Sequence, residues 1–244
     1  VVGAINAPTD QGPLQLGGKP FSSPGASILV SAPGSIVTST SRLVQNDNGS
    51  TFGGDTSVSQ GTSFAAPIVS GIVALMLEAN PELGYRDVQQ ILAISARKVN
   101  DPTTSWQTNG SQNWNGGGMH VSHDYGYGEV DARAAVRLAE TWNTQQTLGN
   151  ELRLTNPLES GVLNRAITDG EAAVISLSLT LGAVDILAEH VEVKVNLSHA
   201  RPGDLILKLI SPSGTESILM NRPGKAPGSG ATDRGNADFD GQNT

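Results

Sequence analysis

Gly61-Thr62-Ser63-Phe64-Ala65-Ala66-Pro67, running on into Ile68-Val69-Ser70-Gly71-Ile72-Val73-Ala74-Leu75-Met76-Leu77, places a hydroxyl at the mouth of an apolar helix. Proline is tolerated in the first helical turn, where backbone N–H groups lack intrahelical partners, so Pro67 predicts a helix start near Ser63. Asn80-Pro81 ends it, because a residue preceding proline is pushed out of helical geometry. Phe64, Ile68, Val69, Ile72, Val73, Leu75, Met76 and Leu77 spread around the whole circumference, which predicts a helix surrounded by protein. Ala65, Ala66, Ser70, Gly71 and Ala74 are small enough for neighbouring elements to approach closely.

Upstream, Ser27-Ile28-Leu29-Val30-Ser31 reads as a short strand stopped by Ala32-Pro33-Gly34, and residues 36–40 read as another. Downstream, Val88, Ile91, Leu92 and Ser95 share one face of a helix over residues 85–96, with Asp87 favouring its N-terminal end. A third helix starts at Asp131 as N-cap and carries Ala135, Val136, Leu138 and Ala139. Residues 103–118, rich in Asn, Gly, Ser and Gln, read as a surface loop.

From about residue 148 the grammar changes to period-two alternation. Residues 173–181 form one such run. Val191, Val193 and Val195 oppose Glu192, Lys194 and Asn196 in another. Leu205, Leu207 and Leu209 repeat it, Ser211-Pro212-Ser213-Gly214 turns, and Ser217-Ile218-Leu219-Met220 returns as a hairpin partner. Residues 222–236 read as a long Gly/Pro loop. Two domains follow, residues 1–145 of mixed α/β character and residues 148–244 as an all-β sandwich, with the boundary near 144–149. Net charge is equal in the two halves, so periodicity alone separates them.

The 244 residues give ample length for a core. With 37% apolar and 16% charged residues, 29 Gly and 13 Pro, the chain is loop-rich and globular. A net charge of -8 without a basic stripe argues against a nucleic-acid partner. No apolar run approaches the roughly 18 residues of a membrane span. Val1-Val2-Gly3-Ala4-Ile5 lacks the basic region of a signal peptide and reads as a strand in mid-domain. The absence of Cys rules out disulfides, thiolate catalysis and cysteine metal sites.

A serine hydroxyl becomes a good nucleophile only when a base takes its proton. At a helix N-terminus its own amide can also face developing negative charge, as half of an oxyanion hole. Gly61 leaves room for substrate backbone beside it. Taken as Gly-Thr-Ser alone, Ser63 is an ordinary N-terminal helix residue. The seven-residue motif with its apolar helix resembles the nucleophile segment of subtilisin-type serine peptidases (peptidase S8). Residues 77–89 and Ser122-His123-Asp124-Tyr125-Gly126-Tyr127-Gly128-Glu129-Val130-Asp131-Ala132 are similar to kexin-type proprotein convertases and their bacterial relatives. Residues 191–197, His199-Ala200-Arg201-Pro202-Gly203-Asp204-Leu205 and Ser211-Pro212-Ser213-Gly214-Thr215 resemble the P (Homo B) domain that follows the catalytic domain there.

The resemblance implies a fold: the C-terminal portion of a subtilisin-like parallel-sheet domain, followed by a jelly-roll-like sandwich that residue 244 truncates. It implies a serine endopeptidase acting through an acyl-enzyme on Ser63, a protein or peptide substrate, and a secreted or cell-envelope location. The family's Asp, its His and its oxyanion Asn all precede the Ser. No His stands before Ser63, and the four present are His120, His123, His190 and His199. The chain is therefore expected to be nearly inactive alone, its missing partner being the N-terminal part of its own catalytic domain. Phe21-Ser22-Ser23 stands where eukaryotic convertases carry a calcium-binding Glu after Tyr-Ser. The resemblance implies calcium as a family cofactor, but this departure leaves that site and strict dibasic specificity without support from the residues here. Calcium keeps one weak candidate in Asp238 and Asp240, which with Asn236 and Gly241 present oxygens at alternate positions, although Phe239-Asp240-Gly241 also matches a structural P-domain turn. Arg201 and Asp204 flank a turn across which they can pair. The competing reading is a non-catalytic β-sandwich module that binds or stabilises a partner.

Overall fold

In the computed structural model, Val2–Ile5 pairs in parallel with Val30–Pro33, Val2 opposite Val30 and Ile5 opposite Pro33. The structure describes residues 1–6, 15–16, 19–20, 22–42, 44–45, 48–49, 51–102, 104, 106–108, 118–153, 159–167, 174–180, 188–199 and 201–224. Gly3, Ala4 and Ile5 are buried, as are Val30, Ser31 and Ala32, as expected of parallel strands covered on both faces. The sheet continues through single bridges, Ser31 to Glu129 in parallel and Glu129 to Arg97 antiparallel. The strand expected at 27–31 lies instead at Val30–Pro33. Gly25 N–H donates to His123 O and Ile28 N–H to Gly25 O, which holds residues 25–28 in a turn until the partner strand is reached.

Among the described residues three α-helices build on this sheet: α1 (Thr62–Ala79) packs on both strands, α3 (Ala132–Glu140) on α1, and α2 (Tyr85–Ser95) on α3. Asp131 caps α3 by accepting from Ala134 N–H at 2.8 Å. Asn80 ends α1, and its side-chain amide donates to Ala139 O and Trp142 O, tying the ends of α1 and α3 together. Ala65, Val69, Ile72 and Met76 of α1 join Ala4, Val30, Ala32, Ile91, Leu92 and Ala135 in one core. Upstream, Ser22 is buried and its hydroxyl accepts the Ala4 N–H.

Two sequence expectations for α1 are corrected. The helix is not enclosed: only its Ala65, Val69, Ile72 and Met76 face is fully buried, while Leu75 is 50% and Leu77 40% exposed. Ile68 and Val73 beside that face are half-buried against the core. At 18 residues, α1 is also long and apolar enough to meet the length and composition of a membrane span. Its packing on the two parallel strands and on α3 gives it the place of a core helix. Pro67 lies in the second turn rather than the first, so the helix forgoes the bond that an N–H there would donate to the Ser63 carbonyl.

The chain divides into two compact units, one of Val1–Glu151 with Pro212–Thr215 and the other of Leu152–Ser211 with Glu216–Thr244. In the second, Ile206–Ile210 pairs antiparallel with Glu216–Asn221, with a bulge between Leu207 and Lys208. Leu205, Leu207 and Leu209 are half-buried while Ile206, Lys208 and Ile210 are exposed, so the alternation read from the sequence holds there. It fails elsewhere. Residues 174–180 and 191–197 form no strand, and Val191 and Val193 are exposed. Alternation specifies which side chains a strand would bury; it does not supply a neighbouring backbone for the strand's N–H and C=O groups.

Candidate active site

Ser63 is the second residue of α1, and it is exposed. The chain reaches it from an antiparallel ribbon, Val37–Thr40 with Thr56–Ser59, whose base is the turn at Gly34. Gly34 N–H donates to Ile5 O at 3.0 Å, and Gly34 O accepts from Gly61 N–H at 2.7 Å. A Cβ at residue 34 would meet the Ala4 side chain and Gly61 O, so only glycine lets the two segments touch. The end of the parallel sheet thus fixes the start of α1. The link was hidden in the sequence, where Ala32-Pro33-Gly34 reads only as a stop signal.

Gly61 is buried at φ 140°, ψ 167°, a region essentially closed to residues with a Cβ. Its carbonyl accepts from Phe64 N–H at 3.0 Å, which leaves the Thr62 and Ser63 amides with no acceptor among the described residues. An exposed hydroxyl beside two free N–H groups can support attack on a carbonyl and hold the resulting oxyanion once a base is supplied.

No histidine supplies that base among the described contacts. His120 packs edge-on against Trp106 at 5.2 Å between centroids. Burial holds its imidazole below the usual pKa, and the Lys98 charge adds to this against an opposing hydrogen bond at the Tyr127 backbone. His123 contributes its carbonyl to the turn at Gly25. His190 stands 3.7 Å from Glu192, and His199 Nδ1 accepts from Arg201 N–H at 3.1 Å.

The 122–128 stretch builds scaffold. Ser122 Oγ accepts from the Asp124 and Tyr125 amides, and the buried Tyr125 hydroxyl donates to Asp101 Oδ2 at 2.6 Å. Burial first, then Asp101, pushes the Tyr125 phenol far up. Among the described residues no three His, Asp or Glu side chains converge as a metal site. Asp238 and Asp240 lie outside the described residues. Residues 201–204 form the expected turn, with Asp204 N–H donating to Arg201 O.

The first unit is thus an α/β domain in which a parallel sheet leads into a buried glycine and an exposed serine at a helix start. The subtilase family model (Peptidase S8) matches residues 1–128, and the proprotein convertase P-domain matches residues 188–242. The chain belongs to the subtilase family. It is 37% identical over 179 residues to Endoprotease bli-4 of Caenorhabditis elegans, covering 69% of this chain and 17% of that protein. Furin of Mus musculus is 38% identical over 168 residues, covering 66% of this chain and 19% of furin. The chain thus spans less than a fifth of these relatives. Among solved structures, the serine protease of Aeromonas sobria matches with a TM-score of 0.60 at 27% identity, over 90% of this chain and 42% of that one. That likeness supports the α/β peptidase fold of the first unit.

Proposed function

We propose that Ser63 is the nucleophile of a subtilisin/kexin-type serine endopeptidase. One observation carries the reading: the exposed Ser63 hydroxyl sits beside its own unpartnered amide, at a helix start fixed by the Gly34 and Gly61 backbones. Ser63 Oγ attacks the peptide carbonyl as its proton passes to a base. The tetrahedral oxyanion lies toward the Ser63 N–H, and the amine leaves with a proton. Water then releases the acyl group. Among the described residues no side chain supplies the base or its orienting acid at Ser63, and the expectation is that this chain by itself turns over poorly.

The reading extends to the organisation. Residues 1–145 form part of the catalytic domain and residues 148–244 a P-domain sandwich, supported by the two family matches and by the hairpin at Ile206–Ile210 and Glu216–Asn221. Its substrates are proteins or peptides, and its location is secreted or in the cell envelope. The test is Ser63→Ala in an active preparation of the protein that carries this chain. Peptide hydrolysis should fall by roughly 10⁴–10⁶-fold with folding unchanged. Retained turnover overturns the assignment.

A further inference from the structure

Residues 142–151 follow α3 with the composition of a linker, Trp-Asn-Thr-Gln-Gln-Thr-Leu-Gly-Asn-Glu. They are nonetheless clamped to the start of α2. The Asp87 side chain is fully buried and accepts four hydrogen bonds. Its Oδ1 takes the Trp142 indole N–H at 2.9 Å and the Thr144 hydroxyl at 3.1 Å. Its Oδ2 takes the Gln146 backbone N–H at 2.7 Å and the Gly84 N–H at 2.8 Å. Three of the four donors come from the segment and only Gly84 from the helix start.

A second observation is independent of that carboxylate. Gly84 lies so close to the Gln146 carbonyl and the Thr147 amide that a Cβ there would collide with the segment's backbone. Its own φ of -81° is open to any residue, so the glycine serves the close approach and not a turn. Beyond Gln146, the Arg86 guanidinium donates to Thr147 O at 3.0 Å and to the Asn150 side chain, and the Tyr85 hydroxyl meets Glu151. Leu148 opens the turn Leu148–Asn150 with its side chain 68% exposed.

An exposed leucine in a loop is attractive to proteases that prefer large apolar residues, but a protease must draw several residues into extended form. We propose that residues 142–151 are a latch with Asp87 as its buried catch, and that release of the latch gates cleavage at Thr147–Leu148. In that cleavage water adds across the peptide bond, hydroxyl to the Thr147 carbonyl and proton to the Leu148 nitrogen. The cut severs the subtilase-matched residues from the P-domain-matched residues.

The test is limited proteolysis of the full chain with thermolysin, which cuts before large apolar residues, with fragments mapped by mass. Gly161–Val162 is the internal reference, since Val162 is exposed in irregular chain. In the unsubstituted chain the reference bond should be cut at least tenfold faster than Thr147–Leu148. Gly84→Ala, and separately Trp142→Phe combined with Thr144→Val, should each speed the latch cut at least tenfold and leave the reference rate unchanged. Both variants keep the Asp87 bond to the residue-84 N–H, so α2 stays capped and its circular dichroism is retained. Asp87→Asn is the third variant, and if it does not fold the other two carry the test. Equal cutting of the two bonds in the unsubstituted chain overturns the proposal, as does an unchanged latch cut in the folded variants. A non-catalytic Ser63 would leave every one of these rates as stated.

Discussion

Gly61 and Asp87 are the two residues whose chemistry the fold uses most directly. Gly61 holds a backbone conformation that a Cβ forbids, so Gly61→Ala should cost about 1–3 kcal/mol in urea unfolding and displace the Ser63 hydroxyl. Asp87 is governed by opposed effects: burial pushes its pKa up, while hydrogen bonds from Gln146, Trp142, Gly84 and Thr144 outweigh that and hold it below the usual carboxylate value. A folded-state pKa below the unfolded one makes the contribution complete above the unfolded value, near pH 4, and lost as pH falls through the folded value. Asp87→Asn should lower stability at neutral pH by roughly 2–4 kcal/mol, because the amide cannot accept all four bonds. It should also flatten the loss of stability below pH 4, measured by urea unfolding across a pH series. In the sequence, Asp87 was legible as a helix-start residue. Its other partners were not, because Trp142, Thr144 and Gln146 lie 55–59 positions away and nothing local marks them as donors.

Among the elements, α1 separates what pattern can and cannot reveal. Its start, its end at Asn80 and its apolar character were readable from its prolines and composition. Which face is buried was not, because apolar residues occur all round and the moment of such a helix points nowhere. The structure decides it through Ala65, Val69, Ile72 and Met76, spaced four, three and four apart. Met76→Ala should therefore destabilise by about 2–5 kcal/mol, and Leu75→Ala, half-exposed one position away, should stay within about 0.5 kcal/mol. Thermal or urea unfolding of the two single variants gives the comparison. The same limit explains the second half. Leu205, Leu207 and Leu209 found a partner strand, whereas Val191, Val193 and Val195 carry the same alternation with none among the described residues.

On the scale of the whole chain, regular structure concentrates in the unit that contains Ser63. Backbone amides of α1, α2, α3 and the Val30–Pro33 strand should exchange slowly in hydrogen-exchange measurements, and those of the hairpin at intermediate rates. Those of residues 174–180 and 191–197 should exchange within seconds, since no backbone partner among the described residues protects them. The α/β character of the first unit and the candidate nucleophile were legible because a seven-residue motif and three helix signals are local. The base was not, because no residue described around Ser63 supplies one. The central proposal is a nucleophile set on a finished platform without its base, and fluorophosphonate labelling of this chain, mapped by peptide mass against a Ser63→Ala control, tests it most directly. The expected result is labelling at Ser63 orders of magnitude slower than for a complete serine peptidase. Stoichiometric labelling of Ser63 within minutes would contradict it, because the chain itself would then furnish a base.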